Sequence, residues 1–373
     1  MARGPVDAAA DAGESTEDGA VRGPLGYAVL GVVAVVLLSW AARYLSTSVP
    51  KWSKGTGFEG IGAAIEFPIY AILLGLLGNA VLGALGWRDR LAGGFRTEFF
   101  IKTGLVLLGA SINLKVIADA AGPAIIQSVI LISLVFGFSW WLGGKLGLDD
   151  KLRALLSAAV AICGVSAAIA AAGAVQARRE QLAYSASLVI VFALPSIFVL
   201  PLLASWWGLD PKVAGAWIGG NIDTTAAVTA AGTLAGEQSL QYATIVKVTQ
   251  NALLGVVAVA LTAYFALKVE KKSPTVSAGR QLWERFPKFV LGFLATSVIA
   301  TFWLAQVSAP TGKAAIGVVN DLRTWFLILA FVSIGLEFRA GALKQAGWRP
   351  VGVFAASTGV NVVAALGLAL LLF

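Results

Sequence analysis

Two neighbouring stretches gather the residues able to do chemistry: GGNIDTTAAVTAAG (219–232) and IVKVTQNALLG (245–255). Between small and oily side chains they carry Asn221, Asp223, Thr224 and Thr225, then Lys247, Thr249, Gln250 and Asn251. A carboxylate at the centre of a bilayer costs about 2.5–3.5 kcal/mol on insertion scales, so Asp223 needs a partner or a task. Lys247 is the nearest candidate partner, roughly 10 Å along a helix that runs back after a short GEQS turn, a depth within snorkelling distance. Two readings follow. Asp223 and Lys247 are a structural pair fixing one helix on the next, or they belong to a substrate or coupling-ion site near the midplane. The stretch also reads as a break in a spanning helix. Gly, Asn and Asp precede TTAAVTAAG as they precede helix starts, and a half-helix N-terminus inside a membrane attracts anions through its free N–H groups.

A third stretch, SAAVAICGVSAAIAAAG (157–173), sets Cys163, Gly164 and Ser166 among small residues, and WFLILAFVSIGLEF (325–338) sets Ser333 beside Gly335 in the same way. Broken backbone is tolerated in a membrane only inside protein or along a wet cavity; close helix packing through small residues is the alternative. Lys102 follows Glu98 by four residues, an ordinary surface pair first and a site candidate second. Glu66 stands in the first turn of a Pro68-marked helix start. Pro195 and Pro201 are expected to kink their helix.

The elements that must position these groups are membrane spans. The chain has 373 residues, is 58% hydrophobic and is only 13% charged, half the charged share of an ordinary soluble domain. Eleven apolar runs, at about 24–45, 61–83, 98–117, 122–146, 152–175, 182–207, 213–235, 240–267, 286–306, 315–338 and 350–372, are each long enough to cross a core of about 30 Å. Residues 1–23, with five acids against Arg3 and Arg22, form a polar tail without the features of a signal peptide. Residues 268–285 form the one long polar linker. Assigning alternate connections to alternate sides places eighteen Lys and Arg on the side of the N-terminus and eight on the other, with Lys102 and Lys247 left over. The N-terminus is therefore expected in the cytoplasm and Phe373 outside.

The same composition removes several functions. With no histidine, GVSA at 164–167 has no base to make Ser166 a nucleophile. An aspartyl protease needs two carboxylates sharing a proton, and Asp223 alone is deep. The expectation is no enzyme, no metal and no cofactor. No ring of charges or filter-like segment marks a channel. The net charge of +8 lies in the connections, where it reports topology rather than a nucleic-acid partner.

Setting the first run aside leaves five plus five. IKTGLVLLGASI in the third run and VKVTQNALLGVVAV in the eighth each place a lysine seven or eight residues before a glycine that follows a leucine pair, which suggests inverted repeats over 61–207 and 213–372. LVLLGASINL (105–114), ICGVSAAIAAAG (162–173), WIGGNIDTTAAVTAAG (217–232), TIVKVTQNALLG (244–255) and SIGLEFRAGALKQAGWRP (333–350), in this order, resemble the YeiH-type proteins, to which sulfate export is commonly ascribed. The resemblance covers about residues 60–373. It implies kinship with the bile acid/sodium symporter and cation/proton antiporter folds, with crossed broken helices at the fifth and tenth runs. The chain departs from the family pattern at Ile222, where a histidine is usual, and at Gln250, where an arginine is usual.

The expected protein is an all-α polytopic transporter of about eleven spans in the bacterial inner membrane. It moves a small anion, sulfate or another sulfur oxyanion, by alternating access coupled to a proton or sodium, and a homodimer is compatible with it. Lys247, Gln250, Asn251, Asn221, Thr224, Thr225, Cys163, Gly164 and Ser166 would line the substrate site, and Asp223 would hold the coupling ion. The alternative is a cation-translocating protein with Asp223 as ion ligand.

Overall fold

The computed structural model describes residues 25–54, 67–265, 286–338 and 347–373, together with Trp283. The N-terminal tail, Glu66 and, apart from Trp283, the 268–285 linker lie outside the described residues. All regular elements among the described residues are helical. In chain order the longer ones are α1 (Leu25–Trp52), α2 (Phe67–Ala84), α3 (Thr97–Gly109), α4 (Leu114–Lys145), α5 (Asp150–Ala161), α6 (Val165–Val175) and α7 (Arg179–Trp206). They continue as α8 (Pro211–Asn221), α9 (Thr225–Leu234), α10 (Glu237–Ala252), α11 (Leu254–Tyr264), α12 (Phe289–Leu304), α13 (Ala309–Glu337) and α14 (Trp348–Leu372). Among the described residues seven stretches are long and apolar enough to cross a membrane: α1, α2, α4, α7, α10 continued by α11, α13 and α14.

The chain divides into two compact units. One is Met1–Gly104 with Val318–Phe338, the other Leu105–Gly317 with Arg339–Phe373. In the first, α2 and the end of α13 touch through glycine. A Cβ on Gly75 would fall 2.3 Å from the Val332 oxygen, and one on Gly335 2.6 Å from the Ile72 oxygen. Asn79 of α2 donates to the carbonyls of Gly335 (3.1 Å) and Phe338 (2.5 Å), capping α13, and accepts from Arg88. Here the sequence expectation fails: α13 runs unbroken through Ser333 and Gly335. Small residues there serve close packing instead of a break.

The second unit contains the unusual feature. Lys151, at the start of α5, donates from Nζ to the Gln176 carbonyl that ends α6 (3.0 Å), and Gln181, at the start of α7, donates to Asp149 (2.7 Å). The two open ends of α5–α6 therefore lie side by side, and the pair is a helical hairpin. A second hairpin is built the same way. α8 runs parallel to α10, with Ser239 Oγ donating to the Pro211 carbonyl (2.9 Å) and Gly219 against the Ala243 carbonyl. α9 runs back along α10, with Asn251 Nδ2 donating to Thr225 Oγ1 (3.0 Å) at one end and Gly232 against Leu240 at the other. Between the hairpins stands α7, 28 residues and about 42 Å long. It starts at the mouth of the first hairpin and ends five residues before the second, so the mouths open at opposite edges of the unit.

The runs at 152–175 and 213–235 thus do not cross as single helices. A hydropathy window sees about twenty apolar residues in either case, and two arms of ten to twelve residues satisfy it as well as one span. The hairpins lie inside: Ala154 to Ala161 and Val213 to Asn221 are buried throughout. Their broken backbone is thereby kept from lipid. Beside them, α10–α11 is the most interior of the long spans, 61% of its apolar window buried against 22–33% for the others. The expected 98–117 helix also ends early. Asn113 accepts from the Lys115 N–H (2.8 Å) and starts α4 there, with Pro123 inside that helix.

Candidate functional site

The two hairpin tips meet. In the first, the chain reverses through Ile162, Cys163 and Gly164, the last at φ 63° and ψ −120°, a conformation that L side chains rarely adopt. In the second it reverses through Ile222 and Asp223, and Thr224 N-caps α9 by accepting from the Ala227 N–H (3.1 Å). A Cβ on Gly164 would lie 3.1 Å from Thr224 Cγ2 and 3.5 Å from Asp223 Cβ, so glycine lets one tip seat on the other.

Each tip contains one helix C-terminus, with carbonyls lacking intrahelical donors, and one helix N-terminus, with N–H groups lacking acceptors. The carbonyl side is filled by side chains from neighbouring spans. At the end of α5, the Lys247 ammonium donates to the Ile162 carbonyl, Gln250 Nε2 to Ala161 (3.2 Å) and Asn361 Nδ2 to Val160 (3.5 Å). At the end of α8, Gln250 reaches Gly220 (3.4 Å) and Asn361 reaches Asn221 (3.0 Å). One turn earlier, Gln127 of α4 donates to the Ala216 carbonyl (2.9 Å). Gln250 and Asn361 each bridge both hairpins, and Lys247 in turn donates to Gln250 Oε1 (2.8 Å). A cation among helix C-terminal carbonyls also suits the helix dipole.

The N–H side is left open. Among the described residues no acceptor meets the N–H groups of Val165, Ser166 and Ala167 in α6, or of Thr225 and Ala226 in α9. Asn221 Nδ2 and Asn251 Oδ1 are buried without a partner. Asp223, 5% exposed, makes no hydrogen bond and has no cation within 4.0 Å among the described residues.

The structure therefore brings together Cys163, Gly164, Asn221, Asp223, Thr224, Thr225, Lys247, Gln250 and Asn251, with Ser166 exposed on the first turn of α6. Two assignments change. Lys247, 1% exposed, spends two of its three donors on Ile162 and Gln250, so it is a cap for the hairpin tips more than a free anion ligand. Nor is it a close ion pair with Asp223. Lys102, half-buried, pairs with the exposed Glu98 at 3.3 Å, and Ser333 donates to the carbonyls of Phe95 and Leu329 within helix packing. Asn361 and Gln127 are the residues that sequence reasoning missed.

A signal for the hairpins was present. GLDDK (147–151) and GLDPK (208–212) open them, each with a glycine at positive φ (70° and 63°) and an aspartate N-cap. AAG (171–173 and 230–232) closes each second arm, and EQLAY (180–184) and EQSLQY (237–242) open the helices that follow.

The family model described as conserved hypothetical protein 698 matches residues 29–354. A UPF0324 membrane protein of Rhodopirellula baltica is 37% identical over 90% of this chain and 63% of its own length. One from Nitratidesulfovibrio vulgaris is 34% identical over 92% of this chain and 58% of its own. The UPF0324 inner membrane protein YeiH of Salmonella typhi is 29% identical over 78% of this chain and 81% of its own. The chain thus spans about three-fifths of the length of the first two relatives. No solved structure matches. A match over nearly the whole described chain, together with its packed apolar helices, makes this protein a member of the YeiH-type UPF0324 family of membrane proteins.

Proposed function

We propose that the protein is a secondary active transporter that binds a small anion between the two hairpin tips and carries it across the inner membrane by alternating access. The observation that carries this reading is the asymmetry of the tips: side-chain donors take the C-terminal carbonyls, while the N–H groups of α6 and α9 have no acceptor. Two helix N-termini, the Ser166 hydroxyl and the Asn221 amide are what an oxyanion requires. Sulfate or another sulfur oxyanion is the first candidate substrate. Because the mouths face opposite edges, withdrawing one tip opens the site to one side and withdrawing the other opens it to the opposite side. No cofactor and no reaction chemistry enter this scheme.

The hairpins also refine the proposed orientation. Turning 152–175 and 213–235 back on themselves moves Arg178 and Arg179 to the N-terminal side and Lys212 away from it, so the Lys/Arg bias becomes nineteen to seven. That supports a cytoplasmic N-terminus and an external Phe373. The test is uptake of sulfate, nitrate and chloride, each labelled and measured alone, into proteoliposomes with imposed pH and sodium gradients. Accumulation against a gradient supports transport, and no flux of any of the three overturns the anion reading. A second reading keeps Asp223 as a cation ligand, favoured by the unpartnered oxygens of Asp223 and Asn251. Sodium-driven flux without an anion would select it.

A further inference from the structure

We propose that the Asp223 carboxylate is a tethered competitor for the anion at the N-terminus of α6, so that the coupling ion is a proton carried by Asp223. This rests on the anion-transport reading above and says how that site is controlled.

Three of the four hairpin arms begin with a side-chain cap: Asp149 for α5, Asp210 for α8 and Thr224 for α9. The eleven-residue α6 alone does not, since Gly164 has no side chain with which to accept. Its N–H groups carry the partial positive charge of a helix start in the buried centre of the unit. The group seated against that start is Asp223, whose Cβ would lie 3.5 Å from a Gly164 Cβ. The residue is nine-tenths buried, and among the described residues its carboxylate has no hydrogen-bond partner and no cation within 4.0 Å. An acid without a cap thus lies beside a helix start without an acid. Two negative charges brought to one helix start exclude one another. An incoming anion can take the α6 N–H groups only when Asp223 is neutral.

The other charged or titratable groups at this level are Lys247 of α10, held by Ile162 and Gln250, and Cys163 of the opposing tip. From α4, α7 and α14 come Gln127, Val189 and Asn361, none of which titrates. Asp223 is therefore the group through which a proton is exchanged for substrate access: a proton binds with the anion and leaves with it.

The experiment is equilibrium binding of radiolabelled sulfate and chloride, with nitrate as competitor, to the purified full chain, between about pH 5 and about pH 8, where these anions keep their charge and histidine, absent here, is the usual titrating group. The expected wild-type affinity falls as pH rises, approaching tenfold per pH unit once Asp223 is ionised. Asp223→Asn and Asp223→Ser should bind with an affinity independent of pH and no weaker than the wild type at low pH. Replacing sodium by choline should change nothing. Three results overturn the competitor role while leaving the anion site standing: pH-independent binding by the wild type, a retained pH slope in a folded Asp223 variant, or dependence on sodium instead of pH. Since the wild-type slope needs no variant, a misfolded substitution does not protect the idea. Absence of binding of either labelled anion by wild type and variants at every pH would remove the anion reading itself, and the competitor with it.

Discussion

Gln250→Leu isolates the bridge between the hairpins. The substitution keeps the approximate shape and removes two donor contacts, to Ala161 (3.2 Å) and Gly220 (3.4 Å), and one acceptor contact, from Lys247 (2.8 Å). The first two are long and neutral and contribute about 0.5–1 kcal/mol each; the third, to a charged group, contributes about 1.5–3 kcal/mol. Added apolar burial returns about 1 kcal/mol, leaving an expected loss of about 1.5–4 kcal/mol. Equilibrium unfolding in mixed micelles measures it. Thr249→Val is the neighbouring control. Its hydroxyl bonds only back to the Ile245 carbonyl (2.8 Å) of its own helix, so the expected loss is under about 1 kcal/mol. A cycle with Lys247→Met should be strongly non-additive, since the two side chains form one network. Gln250→Leu destabilising no more than Thr249→Val would refute the view that α10 holds the tips together.

Gly164→Ala should cost more than about 2 kcal/mol, combining strain at φ 63° with a Cβ 2.6 Å from Val189 Cγ1, and should abolish uptake; wild-type stability would mean the tip is not packed as described. Sulfate should slow maleimide labelling of Cys163, the sole cysteine, because it lies at the tip. A rate unaffected by any transported anion would place the site elsewhere. With Cys163 replaced by serine, single cysteines at Ala177 and Leu148 should react with an impermeant reagent from one face of the membrane, and those at Gly208 and Gly236 from the other. Single crossings would split each pair. Burial tends to raise the Asp149 carboxyl, but the Gln181 amide, the Leu152 and Lys151 N–H groups and the Arg178 charge outweigh it and hold it below the ordinary carboxylate range. Its stabilisation should thus be complete above the unfolded value of about 3.9 and lost as pH falls through the lower folded value. Asp149→Asn should remove that acid-dependent part of a thermal melt, and an unchanged acid limb would contradict it.

The chemistry was more legible in the sequence than the path of the chain. A carboxylate, a lysine and two amides stand out in oily helices because each is costly there, and Asp223, Lys247, Gln250 and Asn251 do gather at one place. The break before Thr224 was readable from its cap residues. What hydropathy could not give was direction, since arms of eleven and ten residues leave the same trace as one span of twenty-three. Asn361 escaped notice because nothing near it in sequence is charged, and its role depends on carbonyls 140 and 201 residues away. Gly335 misled for the opposite reason: a glycine beside a serine marks a break or a close contact equally well, and only Gly75 across from it decides.

The most direct test of anion binding between the tips is anomalous diffraction from crystals grown in selenate, an isostere of sulfate. The expected result is a selenium peak that places selenate oxygens within hydrogen-bond distance, about 2.7–3.2 Å from oxygen to nitrogen, of the Val165 to Ala167 N–H groups and beside Thr225. Selenate bound only at the basic connections, with the tips closed on themselves at concentrations that support uptake, would contradict it.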